Sequence, residues 1–221
     1  MYEAEVMAFY SKVPVFSLSD LVQIIPNRVY AKKFISRMIK KGKVKRIRKG
    51  LYTFHDDPFL IATFLLKPSY ISTVSALSYY HKITQIPNEV FCFTSKPTKT
   101  YFFIEQINFC NTKYFFGFEM KKYAGVEIPI ATVEKAIIDS IGTVPLSVID
   151  DSFEEVDVKR MISYLKVIRK SSIIKRVGCL LEENGYNVYQ TLKKYMNNKY
   201  IPLDPIAKSK GKRNSKWKLV I

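Results

Sequence analysis

Apolar and polar positions follow different rhythms along this chain, and each rhythm predicts a different kind of element. Between Arg28 and Lys41 the apolar positions Ala31, Phe34, Ile35, Met38 and Ile39 recur every three or four residues, which gathers them on one face of a helix. Asn27 precedes that segment as an N-cap, and Gly42 follows it as a left-handed C-cap. Upstream, Ala4 to Lys12 is helix-like, Val13-Pro14-Val15 breaks the pattern, and Ser19 caps a short helix from Asp20 to Ile25 that Pro26 ends. Downstream, Lys43 to Phe54 alternates in part around Lys49-Gly50 and predicts a two-stranded hairpin, with Val44, Ile47, Leu51 and Phe54 turned inward. Helix, turn, helix and hairpin in this order predict a winged helix-turn-helix.

A different texture begins at Asp56-Asp57-Pro58. An apolar helix, Phe59 to Leu66, breaks at Lys67-Pro68, and Ser72 caps a helix from Thr73 to His81. Aromatic, β-rich runs follow at Glu89 to Thr94, Thr100 to Ile104, Asn108 to Phe116 and Val126 to Ile130. Helical spacing returns over Ala131 to Ile141, Lys159 to Lys170, Ser172 to Glu183 and Val188 to Met196, before a basic loop and a final strand, Trp217 to Ile221. Strands grouped between helices predict an α+β fold with no βαβ alternation: a winged helix-turn-helix over residues 1–55 and a larger α+β domain over 56–221. The 221 residues, 48% of them hydrophobic, suffice for a substantial core.

Charge gives that division a meaning. The net charge is +17, with 12 basic and 3 acidic residues in 1–55, 15 and 15 in 56–192, and 9 and 1 in 193–221. Between Asn27 and Gly50 there are eleven Lys or Arg residues and no Asp or Glu. Concentrated cations suit a polyanion, whose binding is driven by phosphate neutralisation and counterion release, and about six neutralised phosphates predict a log K against log salt slope of roughly −5. At 100° per residue, the face opposite the apolar stripe carries Val29, Lys33, Ser36, Arg37 and Lys40, with Lys32 and Tyr30 at its margins. Ser36 can bond base edges, Lys33 or Arg37 can reach guanine acceptors, and Val29 can touch a thymine methyl. Arg28, Lys41, Lys45, Arg46, Arg48 and Lys49 complete the expected double-stranded-DNA contacts, the last three from the wing tip. Lys208, Lys210, Lys212, Arg213 and Lys216 in the tail are expected secondary contacts.

The same sequence argues against several chemistries. Cys92, Cys110 and Cys179 are odd in number and widely spaced, and with only His55 and His81 beside them they predict neither a disulfide framework nor a metal site. No G-x-x-x-x-G-K-S/T, G-x-S-x-G or H-E-x-x-H string occurs, so we expect no enzyme activity, no catalytic residues and no cofactor. The start of the chain lacks signal-peptide character, and the apolar run Phe59 to Leu66 is too short to span a bilayer, which predicts a cytoplasmic protein that is not membrane-bound.

Several strings taken together resemble the AbiEi antitoxin family of transcriptional regulators. These are Arg48-Lys49-Gly50-Leu51-Tyr52, the run Pro68-Ser69-Tyr70-Ile71-Ser72-Thr73-Val74-Ser75-Ala76-Leu77, and Ile130-Ala131-Thr132-Val133-Glu134-Lys135-Ala136-Ile137-Ile138-Asp139, followed by Lys175 to Glu182 and Trp217-Lys218-Leu219. The resemblance implies an autorepressor, and a second domain that counteracts a nucleotidyltransferase-like toxin in phage defence without forming a stable complex with it. Ser72, Ser75, Glu134, Lys135 and Asp139 match motif positions; we expect Ser72 to cap a helix, and the three charged residues to form ion pairs at a strand-to-helix junction. A monomer or homodimer reading repeated or inverted sites in its own promoter fits this picture.

Three other readings compete. A stand-alone winged-helix transcription factor needs no toxin. A metal-dependent nuclease would draw on Asp139, Asp150, Asp151 and Asp157-Val158-Lys159, although Asp157 reads more simply as an N-cap. An RNA-binding sheet would stack bases on Tyr101, Phe102, Phe103, Tyr114, Phe115 and Phe116, but that segment carries few cations and its aromatics suit a core.

Overall fold

A computed structural model describes residues 2–207 and 211–221. The N-terminal part runs α1 (Tyr2–Tyr10), β1 (Phe16–Ser17), α2 (Leu18–Ile24), α3 (Arg28–Lys40), β2 (Lys45–Arg48) and β3 (Leu51–Thr53), with its strands in the order β1-β3-β2. Val6, Phe16, Leu21, Ile25, Phe34, Met38 and their neighbours make one buried core. The short helix α2 begins earlier than expected. Its N-cap is Ser17, not Ser19, because β1 delivers Ser17 in extended conformation with its hydroxyl over the first turn. Ser17 Oγ accepts from the Asp20 amide at 3.2 Å and Asp20 Oδ2 accepts from the Ser17 amide at 2.7 Å, a reciprocal capping box.

Helix α3 is bounded as its sequence demands. Asn27 Oδ1 accepts from the Tyr30 amide at 3.0 Å. At the other end the Gly42 amide donates to Ile39 O and the Lys43 amide to Met38 O. That paired closure requires the left-handed conformation that Gly42 adopts at φ +70°, which costs glycine little. In the hairpin, Arg46 pairs with Tyr52 and Arg48 with Leu51, so Ile47 is an extra residue that bulges β2. The bulge breaks the expected alternation. Val44 and Phe54 pack into the N-terminal core, whereas Ile47 and Leu51 pack against the other one.

The larger part consists of α4 (Pro58–Leu65), β4 (Ser69–Ile71), α5 (Thr73–Tyr79), β5 (Glu89–Thr94), β6 (Lys99–Phe103), β7 (Glu105–Asn111), β8 (Phe118–Tyr123), β9 (Val126–Ala131), α6 (Val133–Ser140), α7 (Val158–Ile168), α8 (Ser171–Glu183) and α9 (Tyr189–Leu192), closed by β10 (Ile201–Pro202), β11 (Arg213–Asn214) and β12 (Leu219–Val220). The fold is mixed α+β. Six strands form one sheet in the order β6-β7-β5-β4-β9-β8, in which β4–β9 and β5–β7 are parallel and the other pairs antiparallel. Between its fourth and fifth strands, β4 and β9 share one paired position, Ile71 with Ile130. No helix among the described residues is long and apolar enough to cross a membrane.

Within the six-stranded sheet, two strands escape the sequence pattern and one is displaced. Three-residue β4 is buried on both faces and shows no alternation, while edge strand β8 is charged at half of its positions. The expected strand Asn108 to Phe116 instead occupies Glu105–Asn111, because pairing with β5 runs from Glu89–Gln106 to Thr94–Asn111 and leaves Thr112 to Phe116 outside the sheet.

Side chains bind the sheet centre to α6. Ser72 stands before α5 but makes no cap; its hydroxyl donates to Asp139 Oδ2 at 2.8 Å. Tyr70 Oη donates to the same oxygen at 3.0 Å, Lys135 Nζ donates to Tyr70 Oη at 2.8 Å, and Lys135 pairs directly with Asp139 one turn away. Lys135 is 0% exposed. Burial pushes the Asp139 carboxyl up and the Lys135 ammonium down, and their mutual attraction opposes both shifts. Every charged atom in this cluster has a partner, which a charge withdrawn from water needs. Glu134 lies beside it, accepting from the Asp157 amide at 3.1 Å with Arg160 3.7 Å away. The chain's end is locked separately: Trp217 lies so close to α8 that a Cβ on Gly178 would stand 2.3 Å from the indole.

Candidate nucleic-acid interface

The two faces of α3 differ in every respect that matters for binding. Ala31, Phe34, Ile35 and Met38 are buried, and burying each large side chain contributes about 1.5–3 kcal/mol. Arg28, Val29, Lys32, Lys33, Ser36, Arg37 and Lys40 are exposed, Val29 to 65%. Lys32, Lys33, Ser36, Arg37 and Lys40 together line a shallow depression. Arg37 lies 5.6 Å from the centre of the Phe34 ring, which steadies its guanidinium without consuming its hydrogen-bond donors. With 13 residues the helix is about 20 Å long, and a helix fits the major groove of a duplex. Its first turn has no acidic residue, so the positive end of the helix is left uncompensated by its own side chains.

Around α3 the cations fall into two groups. Arg46 and Lys49 are exposed, and no ion pair involves them among the described residues. Others have protein partners: Lys41 and Lys43 reach Glu3 at 3.5 and 2.5 Å, and Lys45 reaches Asp56 at 2.6 Å. The hydrogen bond from Lys43 holds the Glu3 carboxyl below its ordinary value.

Arg48 departs from the expected wing tip. Its Nη1 lies 3.3 Å from Tyr101 Oη and its Nη2 3.4 Å from the Leu65 carbonyl, with the guanidinium carbon 5.4 Å from the Tyr101 ring centre. The bulge at Ile47 reorients this stretch, so Arg48 meets the six-stranded sheet. No signal within the basic window anticipates this, since Tyr101 lies far along the chain. Tyr30 is a neighbour that sequence phasing left at the margin: it is 41% exposed at the start of α3, with the Tyr2 ring 5.9 Å away.

In the C-terminal tail, Lys208 and Lys210 lie outside the described residues. Lys212 is exposed. Arg213 stands 5.3 Å from the Tyr200 ring centre, and Lys216 pairs with Glu182 at 2.8 Å while lying 4.9 Å from the Tyr189 ring. Lys216 therefore anchors the final turn to α8, a structural use of a cation that the sequence offered to DNA.

The residues of the rival readings do not gather into a metal-holding group or an exposed stacking surface. Asp139 is buried in its cluster with Lys135, while Asp157 caps α7 by accepting from the Arg160 amide at 3.0 Å. No group of three or more His, Cys, Asp or Glu among the described residues is placed to hold a metal ion. Of the aromatics offered for base stacking, Phe103 is buried, Tyr101, Tyr114, Phe115 and Phe116 pack against the larger core, and Phe102 is exposed.

No protein-family model matches the chain, and no curated protein matches it. Among solved structures it is similar to the crystal structure of the RV2827C protein from Mycobacterium tuberculosis, with a TM-score of 0.72 over 98% of this chain and 88% of that one. At 13% sequence identity, the likeness is one of fold.

Proposed function

We propose that this protein is a sequence-specific, double-stranded-DNA-binding transcriptional regulator, and that its N-terminal part is a winged helix with α3 as recognition helix and β2–β3 as wing. One observation carries the reading: the solvent face of α3 holds Arg28, Lys32, Lys33, Ser36, Arg37 and Lys40 without an acidic residue, while its other face is buried. The element order and the β1-β3-β2 sheet support the winged-helix assignment. Lys33, Ser36 and Arg37 read base edges, while Arg46 and Lys49 hold phosphates. A homodimer or paired monomers engage repeated or inverted sites in the gene's own promoter. Anisotropy titrations of the promoter duplex and a random duplex across salt test this: salt-dependent preference for the promoter is expected, and equal, salt-insensitive affinity for both overturns it.

The resemblance of the Tyr70 to Leu77 and Ile130 to Asp139 strings to the AbiEi family extends the proposal to an antitoxin that represses its own operon in the cytoplasm. A neighbouring nucleotidyltransferase-like gene whose toxicity is relieved by this protein is the expected finding. Relief absent in co-expression, with DNA binding intact, favours a stand-alone regulator.

A further inference from the structure

The hairpin read above as a wing is fastened to the sheet behind it. Ile47 and Leu51 pack against the larger core, and Arg48 is gripped from two directions. Leu65 is the last residue of α4, so its carbonyl lacks a partner within the helix and belongs to the negative end of the dipole, where a guanidinium is favoured. Tyr101 supplies the other grip with its ring and its hydroxyl. That ring is held edge-on against buried Phe109 at 5.7 Å, and a second cation, Lys99 Nζ, lies 4.8 Å from its centre. Arg46 and Lys49, on either side of this attachment, stay exposed.

We propose that Tyr101 is a positioning residue for DNA binding: through Arg48 it fixes the pose in which Arg46 and Lys49 meet the phosphates, so the larger body sets the wing angle. This rests on the winged-helix reading. Tyr101 carries no charge and touches no DNA in this scheme, yet its loss lowers both affinity and the number of phosphates engaged.

The test uses the full chain and four proteins besides wild type: Tyr101→Phe, Tyr101→Leu, Arg48→Ala and the Tyr101→Leu/Arg48→Ala double variant. Duplex affinity is measured across salt, amide hydrogen exchange of residues 45–53 is followed without DNA, and thermal melting confirms that each variant is folded. Removing a cation–π contact predicts about a two- to fivefold loss of affinity for Tyr101→Leu, a smaller one for Tyr101→Phe, and a shallower salt slope. The double variant should be no weaker than the weaker single, because both residues act through one contact. Faster exchange in the hairpin with these binding changes supports the proposal. Unchanged exchange in Tyr101→Leu overturns the attachment, and faster exchange with unchanged affinity and slope overturns its role in binding. If wild type binds no duplex, the DNA-binding reading itself fails, and the exchange experiment still reports on the attachment.

Discussion

Helices α3 and α6 each place a lysine one turn before a second charged residue, and they use the arrangement in opposite ways. On α3, Lys33 precedes Arg37, and both are exposed. On α6, Lys135 precedes Asp139, and both are buried. Like charges at this spacing cost an isolated helix about 0.2–0.5 kcal/mol, so α3 accepts a small internal penalty that a polyanion would reverse. The α6 pair has its counter-charge built in and engages Tyr70 and Ser72 as well. On α3 the charge is left without an internal partner, which the proposed reading supplies from outside the chain; on α6 the charge has a complete set of partners and serves the architecture.

The largest test breaks the second half of this contrast. Lys135→Met leaves Asp139 buried without its cation and should cost about 3–5 kcal/mol in chemical denaturation, whereas Lys33→Met should stay within about 0.5 kcal/mol. Pairing Lys135→Met with Asp139→Leu should recover much of the loss; no recovery would mean that the cluster contributes shape more than charge. Next in size, Gly178→Ala forces a methyl into the Trp217 indole and should cost about 1–3 kcal/mol, read as a lower melting temperature with DNA affinity unchanged.

Arg37→Ala should do the reverse. If Arg37 reads a base as proposed, its loss is expected to cost about 1–3 kcal/mol of discrimination between promoter and random duplex, with melting unaltered. A smaller effect sharpens the contrast through its sign. Lys33→Glu creates an attractive pair with Arg37 and should stabilise the helix by about 0.2–0.5 kcal/mol while weakening duplex binding. If it weakens neither promoter nor random binding, α3 does not face DNA.

Carboxylates provide the last comparison, since Glu3 and Asp139 both pair with lysine yet shift in opposite directions. Half-buried Glu3 is held below its ordinary 4.5 by Lys43, so its contribution is complete above 4.5 and lost as pH falls through the lowered value. Asp139 is pushed above 3.8 because burial outweighs its partners. The folded state then keeps a proton that the unfolded state has released, and this group's contribution falls as pH rises from 3.8 through the raised value. NMR titration of the two carboxyls should place their midpoints on opposite sides of these ordinary values.

These differences explain what the sequence could reveal. The buried and exposed faces of α3 were legible because helical period and amphipathicity are local, and Asn27 and Gly42 mark its ends. Asp157 as the cap of α7 was legible for the same reason. The fate of Arg48 was not: a bulge at Ile47 and a tyrosine on a distant strand decide it. Ser72 read as a cap because its local context permits one, but Asp139 competes for the hydroxyl from across the fold. Lys216 looked like a free cation until Glu182 came into reach. Local pattern located the candidate interface; tertiary contacts decided which cations remain in it.

The single shared position between β4 and β9 has a mechanical meaning. The six strands amount to two plates, β6-β7-β5-β4 and β9-β8, joined by little backbone ladder at the joint. Tyr70 and Ser72 belong to one plate and its following turn, while Lys135 and Asp139 sit on the helix that continues from the other. The side-chain cluster therefore acts as a rivet, and the stiffness of the β4–β9 joint depends on a few polar atoms where other sheets rely on a row of main-chain bonds.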